Sequence, residues 1–420
     1  MKIIADFHIH SKYSRATSPD MTADRIAHWA DIKGINIIGT GDFTHPLYFN
    51  ELKQKLEPSE NGLFKLKQGT HSARFVLTAE VSNIFDANGR TKKIHSVIFA
   101  PNLTSAEKLN SKLSGYGKLS ADGRPIFTFH VKDLVKMSMD ISEDFLIVPA
   151  HAWTPWFSVF GSKSGFDSIE DAFGSESRFI YAIETGLSSD PAMNWRLSKL
   201  DKVALISNSD AHSPRKIGRE ANVFDCELDY KSIVNAIKSR DKNRFLMTIE
   251  FFPEEGKYHF DGHRACNVFL HPKESIKNDN RCPVCGRPLT VGVLHRVEEL
   301  ADRAEGCVPE GAVSQRNLVP LEEIIAEAFG VGTGTARVES EYKKMVSVVC
   351  PEFTILMDLP FEEIKRISDS RVAEGIIRVR EVKVQKTPGY DGVYGKISVF
   401  SGQSDTASSS FKSDDQMKLF

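Results

Sequence analysis

The chain has 420 residues, of which 41% are hydrophobic and 26% are charged, with 28 Gly and 18 Pro. This composition excludes a collagen-like, coiled-coil or largely disordered protein and leaves room for two or three globular domains. The 54 basic and 56 acidic residues give a net charge of -2, so no overall positive field is available to hold nucleic acid. Local basic patches or metal ions would have to hold any DNA partner.

No apolar run reaches the roughly 20 residues that a membrane-spanning helix needs. Met1 leads into a short strand-like segment instead of a signal peptide, so we expect a cytoplasmic protein with no membrane partner. Six Cys are too few for a disulfide scaffold in a chain of this length.

Residues 1–250 alternate β-branched runs with amphipathic, helix-like stretches, which is typical of an α/β protein built on parallel strands. Most of these runs end in His, Asp or Glu, and only His95 lies near the start of its run. The runs are Ile3 to His10, Ile35 to Asp42, Phe75 to Glu80, Ile94 to Phe99, Phe145 to His151, Phe179 to Glu184 and Val203 to His212. Because strand ends converge on one rim of a parallel barrel, they predict a distorted seven-stranded barrel with these side chains around one pocket.

The spacing of these residues predicts a metal centre. His8 and His10 lie two residues apart on a strand, so both imidazoles point to the same face, and Asp210 and His212 repeat this spacing. A carboxylate can bridge two cations and an imidazole cannot, so Glu80 is the natural bridge of a two-metal centre. The other candidate ligands are His95 and His151. Mixed His and carboxylate ligands suit Zn, Mn or Fe.

The same residues resemble the PHP family of metallohydrolases: an HxH opening, Gly-Asp-Phe after the second run, an isolated Glu, two isolated His and a closing Asp-x-His. The resemblance covers residues 1–250 and implies hydrolysis of phosphate esters with two or three divalent metals (Zn, Mn, Mg or Fe). It implies a first metal held by His8, His10, Glu80 and Asp210, and a second held by Glu80, His95 and His151. A third metal is expected at Asp42 and His212, with His45 as a further ligand.

The expected catalytic carboxylates are Glu80, Asp210 and Asp42. Arg15 follows His10 in a predicted loop, and its guanidinium could clamp a phosphate. A solvated loop residue is the alternative interpretation of Arg15.

A segment rich in His and Cys, from His259 to His295, interrupts the α/β pattern. Cys282 and Cys285 have the spacing of a zinc knuckle, and Cys266 is the predicted third ligand. His263 completes the pattern His-x2-Cys-x15-Cys-x2-Cys. The alternative fourth ligands are His259, His271 and His295. We therefore expect one structural zinc in a small domain over residues 251–294, with free thiols as the alternative.

Residues 295–400 are predicted to form a mainly helical, DNA-binding domain. Helical spacing is found over Leu294 to Arg303, Leu321 to Phe329 and Arg337 to Val349, whereas Arg378 to Lys386 alternates like a strand. Gly332 and Gly334 precede the third helix, where free amides could accept a DNA phosphate, or they form a flexible connection. The predicted basic DNA contacts here are Arg378 and Arg380.

The order of these motifs resembles the endonuclease Q family of DNA repair enzymes. The motifs that carry the resemblance are the barrel, Gly256 to Cys266, the Cys282 knuckle with Leu294 to Asp302, and Pro388 to Gly395. The resemblance spans residues 1–400 and implies a metal-dependent, nucleoid-associated endonuclease. Its substrates would be double- or single-stranded DNA with deaminated bases (uracil, hypoxanthine, xanthine) or abasic sites. The cut would lie 5′ of the lesion and leave a 3′-hydroxyl and a 5′-phosphate.

A lesion enzyme must draw the damaged nucleotide out of the base stack, which needs aromatic or apolar side chains near the active site. The loops after His151 and Glu184 supply such residues, although ordinary packing at the barrel mouth is the alternative. The candidate lesion-binding residues are Trp153, Trp156, Phe157, Asn194 and Trp195.

Residues 401–420 are predicted to be a disordered tail because they are poor in apolar residues almost to the end. The last five resemble the Gln-x-x-Leu-Phe peptides that dock on bacterial sliding clamps, with Gln416, Leu419 and Phe420 as contacts. Two other functions stay open. A small-molecule phosphoesterase would hydrolyse free phosphate monoesters, and a non-catalytic DNA- or helicase-associated adaptor would bind DNA without cutting it.

Overall fold

A computed structural model describes residues 1–348 and 350–400. The elements of the first hundred residues are β1 (Lys2–Asp6), α1 (Ala23–Lys33), β2 (Ile37–Gly39), α2 (Pro46–Lys55), β3 (Leu56–Pro58), β4 (Phe64–Leu66), β5 (Arg74–Ala87) and β6 (Arg90–Ala100). Residues 101–250 continue with α3 (Leu103–Leu113), β7 (Ile126–Phe127), α4 (Val131–Met139), β8 (Leu146–Pro149), α5 (Ile169–Phe173), β9 (Ala182–Glu184), α6 (Pro191–Asn194), β10 (Ala204–Ile206), β11 (Ala221–Asp225), α7 (Tyr230–Ser239) and β12 (Phe245–Glu250).

The remaining described elements belong to the insert and the C-terminal region. They are β13 (Asp261–His263), β14 (Val268–Leu270), α8 (Pro272–Lys277), α9 (Val293–Leu300), β15 (Ser314–Asn317), α10 (Leu321–Phe329), α11 (Ala336–Val348), α12 (Glu352–Met357), α13 (Phe361–Ile367), α14 (Ser370–Arg380), β16 (Gln385–Thr387) and β17 (Lys396–Ser398). Among residues 1–348 and 350–400, no helix combines the length and apolar character needed to cross a membrane.

Seven strands form a ring, and they correspond to the seven apolar runs of the sequence. Ladders join β1 to β2, β2 to β5, β5 to β6, β6 to β8 and β9 to β10. Single main-chain bonds close the two remaining gaps. Ala152 N–H donates to the Glu184 carbonyl (2.9 Å), and His10 N–H donates to the Ala211 carbonyl (2.9 Å). The predicted α/β class with a distorted barrel is confirmed, and the distortion lies where ladders shorten to single bonds.

The direction of β6 explains why His95 lies near the start of its run. β6 is antiparallel to both β5 and β8, so it is the exception to the parallel arrangement that the sequence predicts for the ring. His95 pairs with Ser82, which is two residues beyond Glu80 in β5. Because the start of an antiparallel strand lies beside the ends of its neighbours, His95 reaches the same rim as the other candidate ligands.

Helix α1 shows how local sequence sets these elements. The Thr22 side chain accepts a hydrogen bond from Arg25 N–H at the start of the helix, and Gly34 ends it with a positive φ of 82°. Ile26, Ala27 and Ala30 recur at helical spacing and are buried against the sheet. The apolar face therefore fixes which side of α1 packs on the barrel.

The C-terminal region is mainly helical, as expected, but the strand predicted over Arg378 to Lys386 is wrong. Helix α14 continues to Arg380 because Val372, Ile376 and Val379 recur at helical spacing and are buried. The strand is limited to β16, which pairs with β17. The C-terminal region also contributes to the main sheet, since β15 pairs with the outer strand β12.

Ion pairs fasten the C-terminal helices to the segment that follows the last barrel strand. Arg215 reaches Glu339 of α11 (2.8 Å) and Glu322 of α10 (3.2 Å), and its guanidinium lies over the Trp29 ring of α1. Lys216 also pairs with Glu322 (3.3 Å). This junction begins three residues after His212, so the barrel rim and the C-terminal helices share one anchored segment.

Candidate metal centre at the strand ends

The barrel rim brings together two groups of ligand-type side chains that share Glu80. The first group consists of His8, His10, Glu80 and Asp210, and the second of Glu80, His95 and His151. Within each group the potential ligand atoms all lie within 4.8 Å of one another. Among these residues only Asp210 has appreciable solvent exposure.

In the first group, the two imidazole Nε2 atoms face the same two carboxylates. His10 Nε2 lies 3.2 Å from Glu80 Oε2 and 3.1 Å from Asp210 Oδ1. His8 Nε2 lies 3.7 Å from Glu80 Oε2 and 3.5 Å from Asp210 Oδ1. All four side chains therefore point to one small volume.

The second group uses the other carboxylate oxygen of Glu80. Glu80 Oε1 lies 2.7 Å from His95 Nδ1 and 3.1 Å from His151 Nε2. The two imidazole nitrogens are 3.2 Å apart. Glu80 thus directs one oxygen to each group, which is the geometry required of a bridging ligand.

The donor atoms fit divalent cations. His8 Nε2, His10 Nε2 and Asp210 Oδ1 are buried and make no hydrogen bond to any residue of the described ranges. Buried polar atoms are normally paired, so atoms left unpaired and facing one another indicate a missing ligand. Burial lowers the pKa of His95 to about 3 against the opposing charge of Glu80, which leaves this imidazole neutral, the form that binds metals.

Two further carboxylates orient the histidines of the first group. Both oxygens of Glu184 lie 3.0 Å from His8 Nδ1, and Asp42 Oδ1 lies 3.1 Å from His10 Nδ1. Glu184 also accepts hydrogen bonds from Asn208 Nδ2 (2.8 Å) and from the main-chain N–H of His151 (2.8 Å). The contacts of Glu184 with His8 and of Asp42 with His10 engage Nδ1 of each ring and leave its Nε2 directed into the centre.

The expected third metal at Asp42 and His212 stays a prediction. Asp42 Oδ2 accepts hydrogen bonds from Ser11 N–H (2.6 Å) and from the hydroxyls of Ser11 (2.6 Å) and Ser14 (2.9 Å). Within the described part of the chain, Asp42, His45 and His212 belong to neither ligand group. In this structure the Asp42 carboxylate contacts serine donors and His10, so it orients a ligand of the first group.

The basic residue in the centre is Arg124, not Arg15. Arg15 is exposed on its loop, whereas Arg124 Nη1 lies 3.0 Å from Glu80 Oε2. Burial opposes its charge, but Glu80 and Asp210 raise the pKa of Arg124, so the guanidinium stays charged. No strand-end pattern marks this residue in the sequence. Arg124 lies in a turn, two residues before β7, and only the pairing of β7 with β5 brings it beside Glu80.

The aromatic residues after His151 divide into buried and exposed ones. Trp153 is buried and its Nε1 donates to Asn194 Oδ1 (2.8 Å), so neither of these two residues presents a surface to a nucleotide. Trp156 is 37% exposed, and the Phe157 ring lies 4.6 Å from the His95 ring. Trp195 lines a cleft of about 270 Å³ at the start of β10, away from the end that leads to Asp210.

A second cavity, of about 80 Å³, lies beside the metal centre. It includes Trp156 and is bounded by Thr154, whose hydroxyl lies 3.1 Å from His151 Nδ1. Its other lining residues include Leu187, Phe251, Tyr258 and His259. The cavity is thus a mainly apolar and aromatic recess that opens next to the second ligand group.

The insert brings His263, Cys266, Cys282 and Cys285 into one ligand group. Cys285 Sγ lies 3.5 Å from His263 Nδ1. Burial opposes ionisation of Cys282, but the main-chain N–H groups of Cys285 and Val284 outweigh it and lower the pKa of Cys282 to about 7. The alternative histidines lie elsewhere in the insert: His295 Nδ1 contacts Asp261 (2.6 Å), His271 caps α8, and His259 lines the cavity beside the metal centre.

The predicted DNA contacts in the C-terminal region differ in how open they are: the glycine turn is open, whereas the two arginines are bonded within the fold. Around Gly332 and Gly334 no atom of the described residues lies within 4 Å of the place a Cβ would take, so this turn between α10 and α11 is open. Arg380 donates to the carbonyls of Leu356 (2.7 Å) and Ile355 (2.7 Å). Arg378 Nε donates to the Val399 carbonyl (2.6 Å). Both guanidinium groups therefore support the fold of this region.

Comparisons with known proteins agree with this arrangement. Two family models match parts of the chain: PHP-associated over residues 196–241, and MJ0043 C-terminal domain over residues 320–383. The protein MJ0043 of Methanocaldococcus jannaschii is 33% identical over 257 residues, which is 59% of this chain. The match spans only 31% of the length of MJ0043.

Two solved structures match almost the whole chain. The lesion-specific endonuclease PfuEndoQ from Pyrococcus furiosus has 32% sequence identity and a TM-score of 0.85, over 96% of this chain and 98% of PfuEndoQ. A complex of endonuclease Q with a 27-mer duplex substrate, which has an abasic lesion at the active site, has 32% identity and a TM-score of 0.82. This second match covers 96% of this chain and 97% of the solved one.

Proposed function

This chain belongs to the endonuclease Q family, and on that premise we propose that it is a metal-dependent DNA repair endonuclease that cuts beside damaged nucleotides. The observation that carries the proposal is the pair of ligand groups joined by Glu80 at the barrel rim. A cluster of this kind can supply the activated water and charge stabilisation that hydrolysis of a phosphodiester needs, and a protein that only binds DNA has no need of it.

The residues of the centre have separate tasks. His8, His10 and Asp210 would hold one cation, His95 and His151 would hold a second, and Glu80 would contribute one carboxylate oxygen to each group. Divalent cations at these positions, for which we propose Zn, Mn, Mg or Fe, would supply activation of a water molecule and stabilisation of negative charge on the phosphate oxygens. Glu184 and Asp42 keep the Nε2 atoms of His8 and His10 directed into the centre.

We place the damaged nucleotide beside the second ligand group. Trp156 and Tyr258 line the cavity next to His151, and Phe157 covers His95. Aromatic faces of this kind can stack on a base that has left the helix. The proposed substrates are DNA with uracil, hypoxanthine, xanthine or an abasic site, cut 5′ of the lesion to leave a 3′-hydroxyl and a 5′-phosphate. Such a substrate would place the enzyme at the nucleoid of the cytoplasm.

The C-terminal helices supply a second hold on DNA. The open turn at Gly332 and Gly334 leads into α11, where main-chain N–H groups can bind a phosphate. The zinc ligands His263, Cys266, Cys282 and Cys285 would stabilise the insert between this region and the barrel.

The terminal peptide suggests a sliding clamp as a partner. Gln416, Leu419 and Phe420 lie outside the described residues, so this proposal rests on their sequence pattern alone. The full chain should bind an immobilised bacterial clamp, and the Leu419→Ala/Phe420→Ala variant should not. Equal binding by both proteins would remove the clamp from the proposal.

End-labelled duplexes test the proposed activity. Wild type and Asp210→Ala would be incubated in Mg²⁺ or Mn²⁺ with duplexes that carry one uracil, hypoxanthine or abasic site, and with an undamaged duplex. A single cut immediately 5′ of the lesion, lost in the variant, is expected. If folded, metal-loaded wild type cuts no damaged duplex, hydrolysis of phosphate monoesters would indicate the small-molecule phosphoesterase. DNA binding without any cleavage would indicate the adaptor.

A further inference from the structure

Arg124 brings a guanidinium into a centre built otherwise of imidazoles and carboxylates. Its Nη1 contacts Glu80 Oε2, the oxygen that also faces His8 and His10. A guanidinium has five N–H donors. In the described part of the chain this single contact to Glu80 is the hydrogen bond that the Arg124 side chain makes. Arg380, by comparison, supports the fold with two hydrogen bonds to main-chain carbonyls.

The backbone around Arg124 is fixed on both sides. Gly123 N–H donates to the Tyr13 carbonyl (3.0 Å), and Ser82 N–H donates to the Pro125 carbonyl (3.0 Å). A Cβ on Gly123 would lie 2.2 Å from Ser14 Oγ and 2.4 Å from Asp42 Oδ2, so the turn packs directly against the metal centre. The guanidinium can change its partner, but the Cα atom of Arg124 cannot leave the rim.

The oxygen that holds Arg124 is also needed by the first ligand group. Glu80 Oε2 faces the Nε2 atoms of His8 and His10, so a cation in that group competes with Arg124 for the same atom. The Arg124 side chain keeps 20% of its surface exposed, which leaves it a path toward the open side of the rim. A guanidinium released there presents a planar fork that matches two oxygens of a phosphate.

We propose that Arg124 binds the scissile phosphate once cations occupy the Glu80 carboxylate. The inference rests on the proposed function, because it assigns a substrate contact in the same site. Arg124 contacts Glu80 in the metal-free chain and a non-bridging phosphate oxygen in the loaded enzyme. Arg15 is exposed on its loop and makes no side-chain contact with Glu80 in the described part of the chain.

Two uncleavable duplexes with an abasic site test the contact in the Mn²⁺-loaded enzyme. In one, a methylene group replaces the 3′ oxygen at the scissile position and the negative charge is kept. In the other, a methylphosphonate makes this position neutral. Wild type should bind the charged duplex at least about tenfold more tightly than the neutral one in fluorescence anisotropy, as expected for a charge-assisted hydrogen bond. Arg124→Ala should show a clearly smaller preference, because bound cations would still favour the charged phosphate whereas the guanidinium contact is lost.

Metal content and a matched control separate this role from a structural one. Arg124→Ala should retain the metal content of wild type and lose about 100-fold in kcat/KM on cleavable abasic duplex. Arg90→Ala, at the exposed first residue of β6, should match wild type in every assay.

Each possible result decides the inference or the premise on which it rests. An unchanged preference for the charged duplex in Arg124→Ala, or loss of its metals, would overturn the inference while wild-type cleavage upheld the endonuclease. Absence of wild-type cleavage would instead overturn the proposed function. The binding preference of wild type and its decrease in Arg124→Ala would still report the phosphate contact in that case.

Discussion

Lys33 and Glu352 form a buried ion pair between the barrel and the C-terminal helices. Lys33 Nζ lies 3.2 Å from Glu352 Oε2, and the two side chains are only 8% and 5% exposed. Glu352 also accepts hydrogen bonds from Tyr342 Oη (2.6 Å) and Leu321 N–H (3.1 Å). One carboxylate therefore joins α1, α10, α11 and α12.

Replacing Lys33 should leave Glu352 buried without its counter-charge. We expect Lys33→Met to lower the free energy of unfolding by about 3 kcal/mol, the usual effect of breaking a buried pair. Lys2→Met is the matched control, because Lys2 pairs with Asp358, the residue after α12, at 2.9 Å with both side chains about half exposed. It should cost less than about 1 kcal/mol. Urea unfolding of both variants measures the difference, and equal losses would contradict the importance of burial.

Glu184 should control metal affinity without binding the metal. We expect Glu184→Gln to weaken metal binding about 10- to 100-fold, because His8 loses the carboxylate that orients its ring. Metal titration followed by elemental analysis measures this effect. Glu170→Gln, which removes an exposed partner of Lys202, is the control. A Glu184→Gln protein that binds metal as wild type does would show that His8 needs no anionic partner.

The insert should lose zinc when one of its thiolates is removed. Cys285→Ser is expected to lower the zinc content by one ion per chain and to lower the melting temperature, because the metal supplies folding free energy to a small segment. Cys307→Ser should change neither value, since Cys307 lies outside the ligand group. Elemental analysis and calorimetry provide the two readouts. Unchanged zinc in Cys285→Ser would show that Cys285 is not a zinc ligand.

A buried glutamate should make stability depend on pH. Burial raises the pKa of Glu250 to about 8 from an ordinary value of 4.5, and Asp190 adds to the shift. Between these pH values the folded chain retains a proton that the unfolded chain has lost, so this group's stabilising contribution falls as the pH rises. Glu250→Gln should therefore flatten the decline in stability from pH 5 to pH 8. The urea unfolding midpoints of Glu250→Gln and wild type, measured across this range, test the assignment. Equal slopes of midpoint against pH in the two proteins would falsify it.

The ligand positions could be predicted from the sequence because each depends on a local rule. Strand ends converge on a rim, and alternate residues of a strand share a face, so these rules predict that His8, His10, Glu80 and Asp210 meet at one pocket. Their assignment to one metal is what the PHP resemblance implies, and in the structure they lie in one group. His95 lies at the same rim although its strand runs in the opposite direction. The pattern of polar residues at the ends of the apolar runs therefore indicated the position of His95 better than the expected parallel direction of its strand did.

The remaining features depend on side-chain packing, which spacing does not encode. Asp42 lies at a strand end like a ligand, but Ser11 and Ser14 occupy its carboxylate. Arg124 reaches Glu80 only through the pairing of β7 with β5. Trp153 belongs to an aromatic cluster in the sequence, yet its indole N–H pairs with Asn194 inside the protein. Such contacts are set by tertiary structure and cannot be read from one chain segment.

The ion pairs of Arg215 and Lys216 with the C-terminal helices also affect how DNA can bind. Arg215 and Lys216 tie α10 and α11 to the segment after His212, and β15 pairs with β12, so the glycine turn and Glu80 are held at a constant separation. A duplex that contacted both places would have to match this separation. Weakly paired positions deform most easily. The rigidity of the protein would thus help it to distinguish damaged from intact DNA before any atom of the base is contacted.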